Sequence, residues 1–293
     1  MDLTLIRTFM EVAQTGSFLA AADRLFVTQS AVSLRVQRLE QQIGKQLFER
    51  SKAGATLTPA GAQFEPYALS ILRTWNDARQ QVAIPEGFTD SFAIGAQASL
   101  WPRLGYRWLD ALRAEMPELS LRAELGMPDR LTRALNDGLF QAVLTYEPTM
   151  RPGFIMEPVI EDELVLVAPW QNPTMDQLDG RYAYVDWGES FMHFHQAEMS
   201  HVTTNGMTFA IGVLVTGYLI RRGLAGYLPG RFAARYIDAG QLHLVADAPH
   251  FTYPVWVVWR EDIDPHLLSV AKKTLSETAE TISEEIADVT DSI

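Results

Sequence analysis

The 293-residue sequence contains no cysteine. Disulfides, thiolate metal sites and cysteine catalysis are therefore excluded. Long apolar runs are missing too. The longest, roughly Met207 to Ile220, is too short to span a bilayer and is broken by Gly212 and Gly217. No membrane partner is expected. The opening MDLTLIRTF has an acid at position 2 and no apolar segment of the leader type. A cytoplasmic chain is the expectation, and a solute-binding protein for transport, which must be exported, is disfavoured. No P-loop, dinucleotide fingerprint, G-x-S-x-G or H-E-x-x-H is present, so neither a catalytic constellation nor a cofactor or metal is expected.

Basic residues are also scarce, 24 against 36 acidic, for a net charge of −12. That balance argues at first against a nucleic-acid partner, but it is uneven. Residues 1–60 carry seven basic and five acidic side chains, whereas residues 88–293 carry 15 and 28. One end of the chain can approach phosphate and the remainder should avoid it. The length and a hydrophobic content of 47% allow two domains, each with its own core.

Three short helical patterns open the chain. Ile6, Phe9, Met10 and Ala13 form one apolar face, which Gly16 ends. Ser17 is an N-cap for a second helix burying Phe18, Ala21, Ala22 and Leu25. After a turn through Phe26 and Val27, Thr28 caps a third helix that buries Val32, Val36, Leu39 and Ile43, and Gly44 stops it. The opposite face of this helix presents Gln29, Ser30, Ser33 and Gln37, with Arg35 and Arg38 to one side. Short amides and hydroxyls reach base edges, and arginines bind phosphates. Ser51-Lys52-Ala53-Gly54 then reads as a hairpin tip that puts Arg50 and Lys52 beside the helix. Pattern alone also fits a three-helix packing module with a polar face.

The run GSFLAAADRL, FVTQSAVSLRVQRLEQQIGKQLFERS and ATLTPAG resembles the DNA-binding domain of LysR-type transcriptional regulators over residues 1 to about 65. The T-Q-S-A-V-S-x-R variant, and the later Tyr-Val-Asp-Trp-Gly-Glu-Ser-Phe, are similar to the HdfR-like branch of that family. The resemblance implies a winged helix-turn-helix over residues 1–58. In it Gln29, Ser30 and Ser33 face the bases and Arg35, Arg38 and Arg50 hold the backbone, with the helix cap Thr28 and the hairpin's Lys52 as further DNA-binding residues. Ser30 stands where most of the family has Pro, and Leu34 where most have Arg, which removes a possible contact.

Thr58-Pro59 starts a long helix. Phe64, Ala68, Ile71, Trp75, Ala78 and Val82 recur at heptad spacing, the pattern of two packed helices, and Pro66 should kink it. A single helix lying on its own domain is the other reading. By the resemblance, residues 59–87 are a linker and dimerisation helix closing in the hinge Ile84-Pro85-Glu86-Gly87.

From residue 88 strands and helices alternate, which predicts α/β lobes with ligands at the carboxyl ends of strands. Phe92-Ala-Ile-Gly-Ala, Leu119 to Leu125 and Ala142-Val-Leu-Thr read as strands, with helices from about Trp101 to Glu115 and Asp129 to Asn136. The resemblance implies a two-lobed effector domain of periplasmic-binding-protein type, with lobe I at about 88–161 and 263–293 and lobe II at about 162–262. Lobe II is expected to close near Tyr253-Pro-Val-Trp-Val-Val-Trp. If that fold holds, the cleft is lined by Gln97, Ser99, Leu100, Trp101, Met127, Tyr146, Trp187, Thr203 and Thr204, with Glu147 and Asp186 beside them. Ser99 at a helix start suits an anionic head, and the aromatic residues suit an apolar body. Each residue also has a reading as local turn chemistry, with Ser99 a plain N-cap. His193, His195, Glu198 and His201 are read as structural or surface groups, since their spacings suit no single element. The acidic run Ser276–Asp291 reads as a solvated helix covering lobe I.

The expected protein is thus a DNA-binding transcription regulator rather than an enzyme. Its expected partners are an inverted-repeat operator in double-stranded DNA, a small-molecule effector with an acidic head, further copies of itself as a homodimer or homotetramer, and RNA polymerase. A regulator whose effector domain serves only to oligomerise is the alternative.

Overall fold

In the computed structural model, residues 2–51 and 54–290 are described, with side chains through Ser283. Two compact units emerge, residues 1–85 with 133–139, and residues 86–132 with 140–293.

Capping chemistry punctuates the first unit. Asp2 accepts from the Thr4 N–H and starts α1, Leu3–Thr15; Gly16 ends it in the left-handed region at φ 62°. Ser17 caps α2, Phe18–Leu25, and Thr28 caps α3, Gln29–Ile43, by accepting from the Ala31 N–H at 3.2 Å. Val32, Val36 and Leu39 are buried as the spacing predicts. Ile43, expected in the core, is exposed, because the left-handed turn at Gly44 carries the chain away at that point. Strands β1, Phe48–Ser51, and β2, Gly54–Leu57, pair antiparallel, and Ala55 donates its N–H to the Gly16 carbonyl. Phe9 and Phe18 both meet Phe48, with ring centroids 5.2 and 5.8 Å away, and Phe9 also meets Phe64 at 5.1 Å. Aromatic burial and edge contacts of this kind hold so small a core.

Helix α4, Pro59–Val82, starts at the Thr58 cap and runs through Pro66 without interruption. The heptad reading is corrected in part. Phe64, Ala68 and Ile71 pack into the core of their own unit, whereas Trp75 and Val82 are exposed, together with Tyr67. Arg73 and Asn76, outside the apolar pattern, are buried because they donate to the carbonyls of Asn136 and Asp137.

In the second unit, β3, Asp90–Ala96, leads into a 3₁₀ turn, Ala98–Leu100, and a π turn, Trp101–Gly105, before α5, Tyr106–Glu115. The continuous helix expected from Trp101 therefore starts late, since Pro102 lies in the first turn and Trp101 folds back over Gly105. Next come β4, Leu119–Leu125, α6, Pro128–Asn136, β5, Ala142–Thr145, and β6, Phe154–Ile160. The chain then crosses to β7, Glu163–Ala168, β8, Tyr182–Val185, α7, Glu189–Glu198, β9, Thr204–Phe209, α8, Thr216–Arg222, β10, Gly226–Pro229, α9, Gly230–Asp238, β11, His243–Leu244, and β12, Phe251–Thr252. It returns through β13, Val255–Arg260, and ends in α10, Pro265–Thr290.

The first lobe holds a five-stranded sheet in the order β4-β3-β5-β13-β6; the second holds β10-β7-β11, with β12 also on β7, and the parallel pair β8-β9. Strand β13 corrects the expected lobe boundary. Its run Val-Trp-Val-Val-Trp pairs with β5 and β6 and so belongs to lobe I, not to the end of lobe II. Trp259, fully buried there, meets the edge of Trp108, whose indole donates to the Ala271 carbonyl of α10 at 3.1 Å. As far as Ser283, α10 covers lobe I with Leu275, Ala279 and Ile282. The side chains of the rest of the acidic run lie outside the described residues.

Candidate functional site

The first site is the outer face of α3. Gln29, Ser30, Gln37 and Arg38 are exposed, while Ser33 and Arg35 are half-buried on its flanks. Thr28 is exposed, but its hydroxyl oxygen is occupied in capping, which leaves the helix start oriented outward. The polar face is held to the hairpin by Glu40, which accepts from the N–H groups of Leu47 and Phe48 at 2.8 and 3.3 Å. Arg50, exposed on β1, stacks its guanidinium 4.0 Å from the Phe18 ring centroid. That contact preorganises the cation at little entropic cost. Lys52 lies outside the described residues. Leu34, discounted in the sequence, stands 48% exposed among Ser30, Gln37 and Arg38. A leucine so placed has no core to join, and its signal in the sequence was an apolar residue out of register with Val32, Val36 and Leu39.

The second site lies within the second unit, between its lobes. A cavity of about 490 Å³ is lined by Gln97, Ser99 and Met127 from lobe I and by Asp186, Trp187 and Gly188 from lobe II. Gln97 is fixed through its side-chain carbonyl, which accepts from the Thr145 hydroxyl and the Tyr146 N–H, both at 2.9 Å. Trp187 is buried and donates to the Tyr227 carbonyl at 3.0 Å, while the Tyr253 hydroxyl donates to the Trp187 carbonyl at 3.2 Å. Burial pushes the Tyr253 hydroxyl far up, so it stays protonated and keeps that bond.

Several expected lining residues lie elsewhere. Trp101 and Leu100 are core residues, since the 3₁₀ and π turns rotate both inward, and Trp101 packs on Tyr106 at 5.9 Å. Tyr146 is buried one layer behind the cavity, stacked on Tyr253. Thr203 and Thr204 are at the wrong end of their strand. Parallel β8 and β9 pair Tyr182 with Thr204 and Val185 with Phe209, so the carboxyl ends face the cavity at Asp186 and Ala210. The lobe II wall is therefore Ala210 to Leu214, six residues or more beyond the expected segment. Its signal was present in the apolar run from Met207, where Gly212, at φ 55°, marks the break between strand and helix. Tyr253, also in the lining, stands between β12 and β13, in a segment expected only to close lobe II.

Charge corrects a further expectation. Ser99 sits inside the 3₁₀ turn, so no long helix starts at this residue to direct its N–H groups into the cavity. The lining holds Asp129, Glu147 and Asp186, and its one described cation, Arg130, is 3.5 Å from Glu124. The Glu147 carboxyl is pushed up by burial and then by Asp186, Asp129 and Glu189. An acidic head would enter against these charges.

Among the described residues, no group of three or more His, Asp or Glu is placed to hold a metal. The segment around His193 is the helix α7, where His193 faces Glu189 at 3.9 Å and His195 stacks on Tyr182. Among the described residues no helix is long and apolar enough to cross a membrane.

Sequence comparison bears on both sites. Residues 3–62 match the bacterial regulatory helix-turn-helix proteins of the lysR family, and residues 85–275 match the LysR substrate binding domain. The HTH-type transcriptional regulator HdfR of Salmonella typhimurium is 30% identical over 271 residues, 92% of this chain and 95% of that protein. ArgP from Mycobacterium tuberculosis superposes with a TM-score of 0.55 at 23% identity, covering 95% of this chain and 97% of that one. Full-length CbnR in complex with its target DNA superposes with a TM-score of 0.51 at 17% identity, covering 95% of this chain and all of the other.

Proposed function

This chain belongs to the LysR family of DNA-binding transcription regulators with an effector-binding domain, and from that premise we propose which residues perform each task. Helix α3 enters the major groove of an inverted-repeat operator. Gln29, Ser30 and Ser33 meet base edges there, and Arg35, Arg38, Arg50 and Lys52 hold phosphates. Leu34 adds an apolar contact of the kind a thymine methyl accepts. The observation that carries this reading is the exposed, short-chain polar face of α3 beside an Arg50 already stacked on Phe18.

An inverted repeat needs a two-fold protein, and the exposed Trp75 and Val82 of α4 supply an apolar stripe for a second copy, as homodimer or within a homotetramer. A small effector occupies the cavity bounded by Gln97, Ser99, Met127 and Trp187. The protein works by binding in the cytoplasm, without catalysis, and RNA polymerase is its further partner at a promoter.

Selection of bound duplexes from a random pool tests the reading. It should return an inverted repeat, and affinity for that repeat should fall steeply with salt as condensed counterions are released. Equal affinity for all sequences, or binding indifferent to salt, would overturn it.

A further inference from the structure

The chemical class of the effector follows from the walls of the cavity, on the reading that this cavity is the effector site. Three carboxylates line it, from Asp129, Glu147 and Asp186. Among the described residues none of the three is ion-paired with a Lys, Arg or His. Arg130, which also lines the cavity, is paired with Glu124 at 3.5 Å, and Glu124 takes Arg122 as well at 3.5 Å, so the lining keeps a net negative charge. The carboxylates come from both lobes. Asp129 is in the first turn of α6, Glu147 follows β5, and Asp186 follows β8.

Glu147 also packs directly on Gly188, where any side chain would collide with its carboxylate. The lobe II loop is thus shaped around an acid of lobe I. Like charges brought together in a half-enclosed space repel, and an added cation relieves that repulsion while an added anion increases it. Beside the charges, Met127, Ile211 and Leu214 line the opening and are 55%, 48% and 67% exposed. They offer an apolar surface that is otherwise in water. The volume suits a small organic molecule rather than a bare ion.

We propose that the effector is a small organic cation, an amine or guanidine on an apolar body, whose charge faces Glu147, Asp186 and Asp129 while its body covers Met127, Ile211 and Leu214.

Matched pairs that differ chiefly in the sign of their charge test this on the full chain. Tryptamine is set against indole-3-acetate, phenethylamine against phenylacetate, and agmatine is added as the guanidine. Melting temperature is the readout, since a ligand of the folded form raises it by linkage. The amines should raise it and their acids should leave it unmoved. Glu147→Gln should weaken the responsive amine by roughly ten- to a hundredfold, the usual share of a hydrogen bond to a charged group. Ile211→Trp, a substitution at an exposed position, should abolish the response by filling the opening. Acids that bind while amines do not, with Ile211→Trp abolishing their response, would overturn the charge class but leave the cavity as the effector site. An amine response that survives both substitutions would overturn the cavity itself. Silence of all the amines overturns the proposal.

Discussion

The rings of Tyr146 and Tyr253 stack with centroids 4.1 Å apart and planes 13° from parallel. One follows β5 and the other stands where the chain returns from lobe II to lobe I. The Tyr253 N–H donates to the carbonyl of Asp162, which stands at the outward crossing, at 2.7 Å. The two interlobe crossings are therefore bonded to each other behind the cavity. We expect Tyr253→Phe, which keeps the stack but loses the bond to the Trp187 carbonyl, to cost about 1 kcal/mol. Tyr253→Ala, which also loses the buried ring, should cost about 3–5 kcal/mol. Denaturant titration of the full chain checks the order, and equal losses would show that the stack contributes nothing.

On the DNA face, contact types separate by their response to sequence. Gln29→Ala or Ser33→Ala should relax base preference, at about 1–3 kcal/mol for each lost base contact. Leu34→Ala should reduce preference at a thymine while sparing the other positions. Arg50→Ala should weaken binding to all duplexes and lower the salt slope by about one. Binding measured on a panel of single-base operator variants, at several salt concentrations, distinguishes these outcomes. Uniform loss in all the variants would refute the assignment.

On the linker, a test of assembly must spare Ile71, which packs into the core of its own unit. Trp75→Glu with Val82→Glu, both at exposed positions, should leave the helical circular dichroism of the chain little changed. It should lower the mass measured by light scattering, because a charge buried without a partner at an interface is costly. An unchanged mass would exclude this stripe from the interface.

What could be read in advance followed local physics. Caps at Ser17, Thr28 and Thr58, stops at Gly16 and Gly44, and the 3–4 spacing of Val32, Val36 and Leu39 all recur in the structure. Each is decided by a residue and its near neighbours. The cavity depends on pairings between distant segments, and there local reading failed. β13 looks like any buried strand, and only its partners β5 and β6, about a hundred residues earlier, assign it to lobe I. The same blindness put Thr203 and Thr204 in the cleft, since the apolar pattern near Met207 does not say where the strand ends. Trp101 looked like a ligand-facing aromatic, and nothing in its neighbourhood announced the turns that bury it.

Asp162 supplies a test in pH. Its carboxylate is 8% exposed and accepts from the N–H groups of Glu163 and Arg231 at 2.9 and 3.2 Å and from the Tyr146 hydroxyl at 3.4 Å. Burial dominates these bonds and raises its pKa from 3.8 to about 6. A carboxyl raised in the folded state holds its proton more tightly there than in the unfolded chain. The folded state is therefore penalised above pH 6, and the penalty fades as pH falls from about 6 to about 4. The full difference amounts to ~3 kcal/mol, or a melting shift of roughly 6–12 °C for a domain of this size. Asp162→Asn keeps an acceptor for the two N–H groups and cannot ionise. The variant should exceed the wild type in stability at pH 7.5, and the two should converge toward pH 4. Other raised acids, Glu147 among them, titrate in both proteins and cancel in the comparison. Melting curves of both proteins across this range decide it, and parallel curves would mean that Asp162 is solvated or paired more strongly than its burial implies.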